Sequence, residues 1–311
     1  MGITKTAGDR DRFVRPCSLF PNARGAFQAF LQSLQFQQGE QVLLPAYIGW
    51  SSREGSGVFD PVTNLKLDFA FYRLNTKLQI DLEDLTSKLK TGRIKLVVLI
   101  HYFGYVDPSY TAAVEIARKY GAWVLEDEAH ALLTDRIGGI AGRLGDACIY
   151  SLHKMLPVSG GGMLVTTLAN RNLVQTGHNE SDQEQSLGEY DLFAVAQKRR
   201  RNAIHLAQSL SHLQEHVVPL WEDLQPGEFP QTFPVLILRA NRDELYTKLN
   251  AAGFGVVSLY HTMIQEIGKD AYPASHAISR KILNLPVHQD VETDQLDQLV
   301  SELKKTLLVS A

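Results

Sequence analysis

Ala147-Cys148-Ile149-Tyr150-Ser151-Leu152-His153-Lys154 is an apolar run that closes on a lysine, with Pro157 and Gly160-Gly161-Gly162 directly behind it. Residues 147–150 read as a buried strand, which puts Lys154 at the strand's exit. A hydroxyl, Ser151, precedes the lysine and a flexible glycine patch follows it. That is what a lysine needs to hold a carbonyl cofactor as a Schiff base, and pyridoxal phosphate is the expected cofactor. The plain alternative is a surface lysine beside a loop, so the neighbouring segments decide between the two.

Upstream, Trp123-Val124-Leu125 reads as another strand and ends in Glu126-Asp127-Glu128-Ala129-His130. Leu96-Val97-Val98-Leu99-Ile100 is a continuous apolar run, the mark of a strand buried on both faces of a parallel sheet, and it exits into His101-Tyr102-Phe103-Gly104. A helix is expected from Pro108 to Tyr120, another from Asp81 through Leu82, Leu85 and Leu89, and an alternating strand over Leu65–Tyr72. Gln41-Val42-Leu43-Leu44 is a short strand stopped by Pro45, and Ala46-Tyr47-Ile48-Gly49-Trp50 follows as a loop with large aromatics. Phe27, Phe30, Leu31 and Leu34 recur at helical spacing behind Asn22, a good N-cap. The small residues of that first turn leave backbone N–H groups open for a phosphate.

Strand and helix therefore alternate across residues 22–130, which predicts an α/β fold with a mostly parallel central sheet and helices on both faces. Met163–Thr166 adds a strand after the lysine segment. From Leu168 to Tyr190 the chain is polar and aperiodic and reads as a mobile or partner-contacting loop. Lys198-Arg199-Arg200-Arg201 opens a helix with Ile204, Leu206, Leu210 and Leu213, and the basic quartet reads as its solvated face. Residues 219–230 look like a linker. Strands over Phe233–Leu238 and Gly255–Leu259, with helices over Arg242–Ala252 and Thr293–Leu307, then make a smaller α/β unit. The expected division is a large domain, 1–195, and a small C-terminal domain, 196–311.

Composition narrows the function classes. The 311 residues are 44% hydrophobic and 21% charged, with a formal net charge of -3, so nothing favours a nucleic-acid partner. The two cysteines, Cys17 and Cys148, do not suggest a disulfide framework. No apolar run approaches membrane-span length, and the polar stretch Met1–Arg15 lacks the apolar core of a signal peptide, so a cytoplasmic location is expected. No cluster shows metal-ligand spacing, and neither glycine-rich stretch has a nucleotide-binding arrangement.

The candidate chemistry rests on Asp127 and Lys154, each at the exit of a buried strand. For pyridoxal phosphate a lysine forms the imine, and a carboxylate keeps the pyridine nitrogen protonated so that the ring accepts a substrate carbanion's electrons. Ser151 and a helix N-terminus suit the phosphate, His130 the ring's phenolic oxygen, and His153 the cofactor or its phosphate. Trp50 or Tyr47 is placed to lie flat on the ring.

These residues resemble the DegT-type sugar aminotransferase family of fold type I pyridoxal phosphate enzymes. The likeness is carried by Glu126–Ala131, Gly138–Asp146, Ser151–Gly162 and Val165-Thr166, by Asn22–Ala26, Leu44–Tyr47 and His101–Gly104, and by Ile282–His288. It implies Lys154 as Schiff-base lysine and proton shuttle, Asp127 as partner of the pyridine nitrogen, and His130, where the family often has Gln, beside the ring hydroxyl. Ser151 and the amides of Ala23 and Arg24 would hold the phosphate, and Trp50 or Tyr47 would stack on the ring. It further implies ping-pong transfer from an amino acid donor such as glutamate to a keto sugar or other small keto compound, in a homodimer with active sites at the subunit interface. Two residues separate Ser151 from Lys154, where the family commonly has four. That spacing is also similar to decarboxylase and acyl-transfer branches of fold type I; a lyase, decarboxylase or acyl-transfer enzyme, or a cofactor-binding protein without turnover, are the alternatives.

Overall fold

The computed structural model describes residues 15, 17–166, 187 and 189–309. Most of the expected loop over 168–190 lies outside the described residues. The central sheet has seven strands: β1 (Cys17–Phe20), β2 (Gln41–Pro45), β3 (Asp68–Tyr72), β4 (Ile94–Ile100), β5 (Trp123–Asp127), β6 (Ala147–Ser151) and β7 (Gly162–Thr166). Their spatial order is β1-β7-β6-β5-β4-β2-β3. Strands β3, β2, β4, β5 and β6 run parallel, whereas β7 lies antiparallel to both β6 and β1.

Helices α1 (Ala23–Ser33), α2 (Phe59–Asn64), α3 (Leu82–Leu89) and α4 (Tyr110–Lys119) connect and cover these strands. Phe27, Phe30 and Leu31 of α1, Leu85 and Leu89 of α3 and Ala113, Val114 and Ala117 of α4 are buried with Leu43, Val97, Val98 and Val124 of the sheet in one core. The unbroken apolar runs of β4 and β5 make sense in that setting: packed on both faces, they have no solvent side to mark with polar residues. Asn22 caps α1 by accepting the Gly25 amide, and Asp81 caps α3 by accepting the amides of Glu83 and Asp84.

The parallel arrangement sets the site. Strands β4, β5 and β6 are neighbours and end at the same sheet edge, so His101, Asp127 and Ser151 emerge side by side. Strand β1 joins them because two antiparallel steps restore the direction of β6: Phe20 pairs with Gly162, which pairs with Ser151. Helix α1 therefore begins at this edge as well. A Cβ on Gly162 would come within 2.1 Å of the Asn22 backbone, so only glycine lets the start of α1 close against the lysine segment.

A second, three-stranded sheet, β8 (Val217–Pro219), β9 (Thr232–Ile237) and β10 (Ile282–Pro286), is antiparallel in the order β10-β9-β8. Helices α5 (Leu192–Leu210), α6 (Arg242–Ala251) and α8 (Thr293–Val309) share a separate core with it through Leu206, Leu210, Val235, Leu249, Leu285, Leu299 and Leu303. Helix α7 (Pro273–Lys281) sets Ile278 into the large core instead.

Several expectations need correcting. Strand β3 starts at Asp68, because Leu65 caps α2 and Lys66 turns through a left-handed backbone at φ 53. Apolar alternation over 65–67 came from a helix end, where it mimics a strand. Gly255–Leu259 makes a single bridge, Val257 with Asn284, since Gly255 is itself left-handed. The expected linker over 219–230 follows a short strand that ends at Pro219. Nor is the basic quartet wholly solvated: Arg199 is buried and donates to Met155 O, Gln231 O and Gln289 Oε1. Arg200 donates to the carbonyls of Leu224, Gln225 and Glu228. Both guanidiniums collect backbone carbonyls that the neighbouring loops leave open.

Candidate active site

Lys154 Nζ lies 3.1 Å from His130 Nε2. The lysine follows β6 in a single tight turn, Leu152–Lys154, while Leu152 N donates to Gly161 O and binds the turn to the glycine patch. His130 comes from the turn after β5. Its other nitrogen, Nδ1, receives the backbone N–H of Phe103 at 3.3 Å, which puts the ring proton on Nε2. That N–H points to the side from which Lys154 approaches.

The electrostatics agree with this pairing. Burial, and then the charge of Lys154, hold His130 well below the usual imidazole range. Burial also lowers the affinity of Lys154 for its proton, against opposing pulls from Asp127 and Glu54. Lys154 is solvent-accessible, so a small molecule can reach it. Asp127 is buried; its Oδ1 accepts the Ala129 amide at 2.9 Å, leaving Oδ2 for another donor. Burial raises its pKa, with Lys154, the Ala129 amide and His101 pulling the other way.

Beside this pair lies an anion cradle. Ser151 is buried, with Oγ 3.4 Å from Nδ1 of the exposed His153. Asn22 takes the Gly25 amide and its carbonyl the Ala26 amide, so the amides of Ala23 and Arg24 are first-turn donors that the helix cannot satisfy. The Arg24 guanidinium turns away, onto Glu54 O and Asp60. The donor set fits pyridoxal phosphate: a lysine amine, a buried carboxylate, an imidazole N–H and a helix N-terminus against a buried hydroxyl.

The aromatic loop is placed differently from the rest. Tyr47 is fully buried, its ring edge-on to Tyr102 at 5.6 Å. Trp50 is 46% exposed and outside the ring cluster around His130, whereas Phe103 and Tyr260 belong to it. Sequence reading missed both of these. Phe103 had a signal, its place at the exit of an apolar strand just before Gly104. Tyr260 had none, because it is far in sequence from the other site residues and reaches them only through folding.

Behind Asp127 the same strand carries a second buried network. Glu126 accepts N–H groups from Gly142, Leu144 and Gly145 and the Tyr110 hydroxyl, so the glycine-rich stretch 138–146 wraps a carboxylate. These bonds, with that to His101, outweigh burial and keep its pKa low. Glu128 Oε1 lies 3.3 Å from His101 Nε2, and burial, with the charges of Glu126, Asp135 and Asp127 and a side-chain hydrogen bond with Glu126, pushes its pKa well up. His101, Glu126 and Glu128 bring ligand-type atoms within 4.8 Å of one another, an assembly across two strands that sequence spacing did not reveal. With Glu126 saturated by donors, the trio is a hydrogen-bonded support for the β5 exit.

A UDP-N-acetyl-3-dehydro-alpha-D-glucosamine 3-aminotransferase of Acidithiobacillus ferrooxidans is 23% identical over 91% of this chain and 82% of its own. A putative sugar aminotransferase, Spr1654 of Streptococcus pneumoniae in its PLP form, superposes with a TM-score of 0.79 at 15% identity, covering 96% of this chain and 88% of that one. PseC of Helicobacter pylori, an aminotransferase involved in the biosynthesis of pseudoaminic acid, gives 0.78 at 16% identity, with the same shares covered. The DegT/DnrJ/EryC1/StrS aminotransferase family model matches residues 17–176 and 187–304. Matched over most of its length, the chain belongs to that aminotransferase family.

Proposed function

We propose that this aminotransferase binds pyridoxal phosphate through Lys154 and passes an amino group from an amino acid, glutamate by preference, to a keto sugar. The 3.1 Å approach of Lys154 Nζ to His130 Nε2, with Asp127 on the adjoining strand exit, carries the reading. The keto-sugar acceptor is supported by the relative that acts on a 3-dehydro-glucosamine nucleotide. When bound, the cofactor supplies an electron sink for the substrate carbon.

The protein's own groups do the rest. Asp127 holds a proton on the ring nitrogen, His130 Nε2–H donates to the ring oxygen, and Ser151, His153 and the amides of Ala23 and Arg24 take the phosphate. Lys154 Nζ, beside His130, takes and returns the proton at the substrate's α-carbon. Helix α5 sets Ala196 against Tyr150 and Met155 at the lysine end of the large sheet and Ala203, Leu206 and Leu210 into the small core, so the large and small lobes are proposed to divide near its start, at residue 195. A cytoplasmic homodimer is proposed on the family likeness. No described helix is long and apolar enough to cross a membrane.

The test is an absorbance spectrum of the protein loaded with pyridoxal phosphate, recorded before and after adding glutamate. Loss of the carbonyl-derived band with appearance of pyridoxamine phosphate is expected. Release of carbon dioxide, or elimination with the band unchanged, would assign the site to a decarboxylase or lyase instead.

A further inference from the structure

The loop after β2 was expected to cover the cofactor ring with Trp50 or Tyr47, yet the position facing the site is Gly49. A Cβ there would stand 2.7 Å from Tyr260 Cδ1, so the missing side chain is what admits the Tyr260 ring. That ring lies, centroid to centroid, 5.2 Å from Tyr47, 5.6 Å from Tyr102, 5.8 Å from Phe103 and 5.9 Å from His130. It is near enough to Asp127 that, after burial, the Asp127 charge adds to what keeps the phenol protonated.

The backbone holds Tyr260 there at some cost. Its φ of 61 lies in the left-handed region, rare for a bulky residue and tolerated when the surroundings impose it. Here they do. On one side Val257 and Asn284 exchange backbone hydrogen bonds, Leu259 N donates to Asn284 Oδ1, and Ser258 Oγ donates to Ile282 O. On the other, Trp50 N donates to Thr262 O and Ile264 N to Ile48 O. The segment is thus tied to the small sheet before Tyr260 and to the loop after β2 beyond it.

We propose that Tyr260, seated in the space left by Gly49, is the aromatic side chain that packs against the pyridoxal phosphate ring. A neutral phenol ring beside His130 offers an apolar face to the cofactor, and the strap brings it to the strand exits of the large sheet. The inference rests on the proposed function and adds a residue to it.

The experiment is an absorbance titration of the apoprotein with pyridoxal phosphate, with circular dichroism of the bound cofactor as a second readout. Tyr260→Phe keeps the ring and is expected to bind within about twofold of wild type, whereas Tyr260→Ala and Gly49→Ala weaken binding about tenfold or more and alter the cofactor's dichroism. Melting curves of the apoproteins identify any variant that fails to fold, and Gly49→Ala carries the test if Tyr260→Ala does. Wild-type affinity in Tyr260→Ala or Gly49→Ala overturns the proposal, as does a larger loss in Trp50→Ala than in Tyr260→Ala. If wild type and Lys154→Ala give the same spectrum, the proposed function falls first and the role of Tyr260 with it.

Discussion

Phe103 and His130 are joined twice: the Phe103 amide donates to His130 Nδ1 at 3.3 Å, and the two rings stack with 14° between their planes. Phe103 accepts a left-handed backbone, φ 57, to make that amide available. The result is an imidazole with one tautomer, its proton held toward Lys154. Glutamine can present a comparable N–H and leucine cannot. His130→Gln is therefore expected to bind pyridoxal phosphate within a few-fold of wild type and His130→Leu about tenfold or more weakly, by absorbance titration.

The same histidine gives a pH signature. Its folded pKa lies well below 6.5, so below pH 6.5 the unfolded chain takes up a proton that the folded one refuses. Stability then falls as the pH drops. Between pH 7.5 and 5.5 the melting temperature of the wild-type apoprotein should fall further than that of His130→Gln, and equal slopes would remove the buried neutral imidazole from the account.

Asp127→Asn keeps the shape of the strand exit and removes the charge. The half reaction with glutamate is expected to slow by about 10²–10³-fold, the scale of losing one preorganised electrostatic contact, while Lys154 still carries the cofactor. Single-turnover absorbance measures the first and mass spectrometry after borohydride reduction the second. A rate within threefold of wild type would take Asp127 off the ring nitrogen.

Glu128 predicts the opposite dependence. Its folded pKa is raised, so above pH 4.5 the unfolded chain gives up a proton that the folded one keeps, and this weakens folding progressively as the pH rises toward the folded pKa. Glu128→Gln should raise the melting temperature more at pH 8 than at pH 5. For a chain of this size each kcal/mol gained is worth about 1.5 °C. A variant less stable than wild type at both values would show that the acid proton makes a bond the amide cannot replace.

Arg199 tests the join between the units. Arg199→Met leaves carbonyls at Met155 and Gln231 without their donor and is expected to cost about 2–4 kcal/mol in urea unfolding. Because Met155 directly follows Lys154, cofactor affinity should fall in the same variant.

Much of the large unit was legible in one dimension. Continuous apolar runs at 96–100 and 123–125 read as doubly covered parallel strands, which put the polar residues at their ends at one edge of a sheet. Helix caps at Asn22 and Asp81 were readable because capping is local. Leu65–Leu67 was not, since a helix end and a strand show the same short alternation. Arg199 was misread because three of its partners, Met155, Gln231 and Gln289, are distant in sequence.

The sequence by itself determined the chemistry on offer: a lysine, an aspartate and a capped helix start, each at the end of an element whose pattern is written in its own side chains. Only the tertiary structure decided how they act together. Strand order put β4, β5 and β6 side by side, the Phe103 amide chose the His130 tautomer, and Gly49 gave way to Tyr260 from far along the chain. The reason is physical. Periodicity and capping are local, whereas a tautomer, a depressed lysine pKa or a shared ring contact depends on neighbours that the chain brings near only by folding.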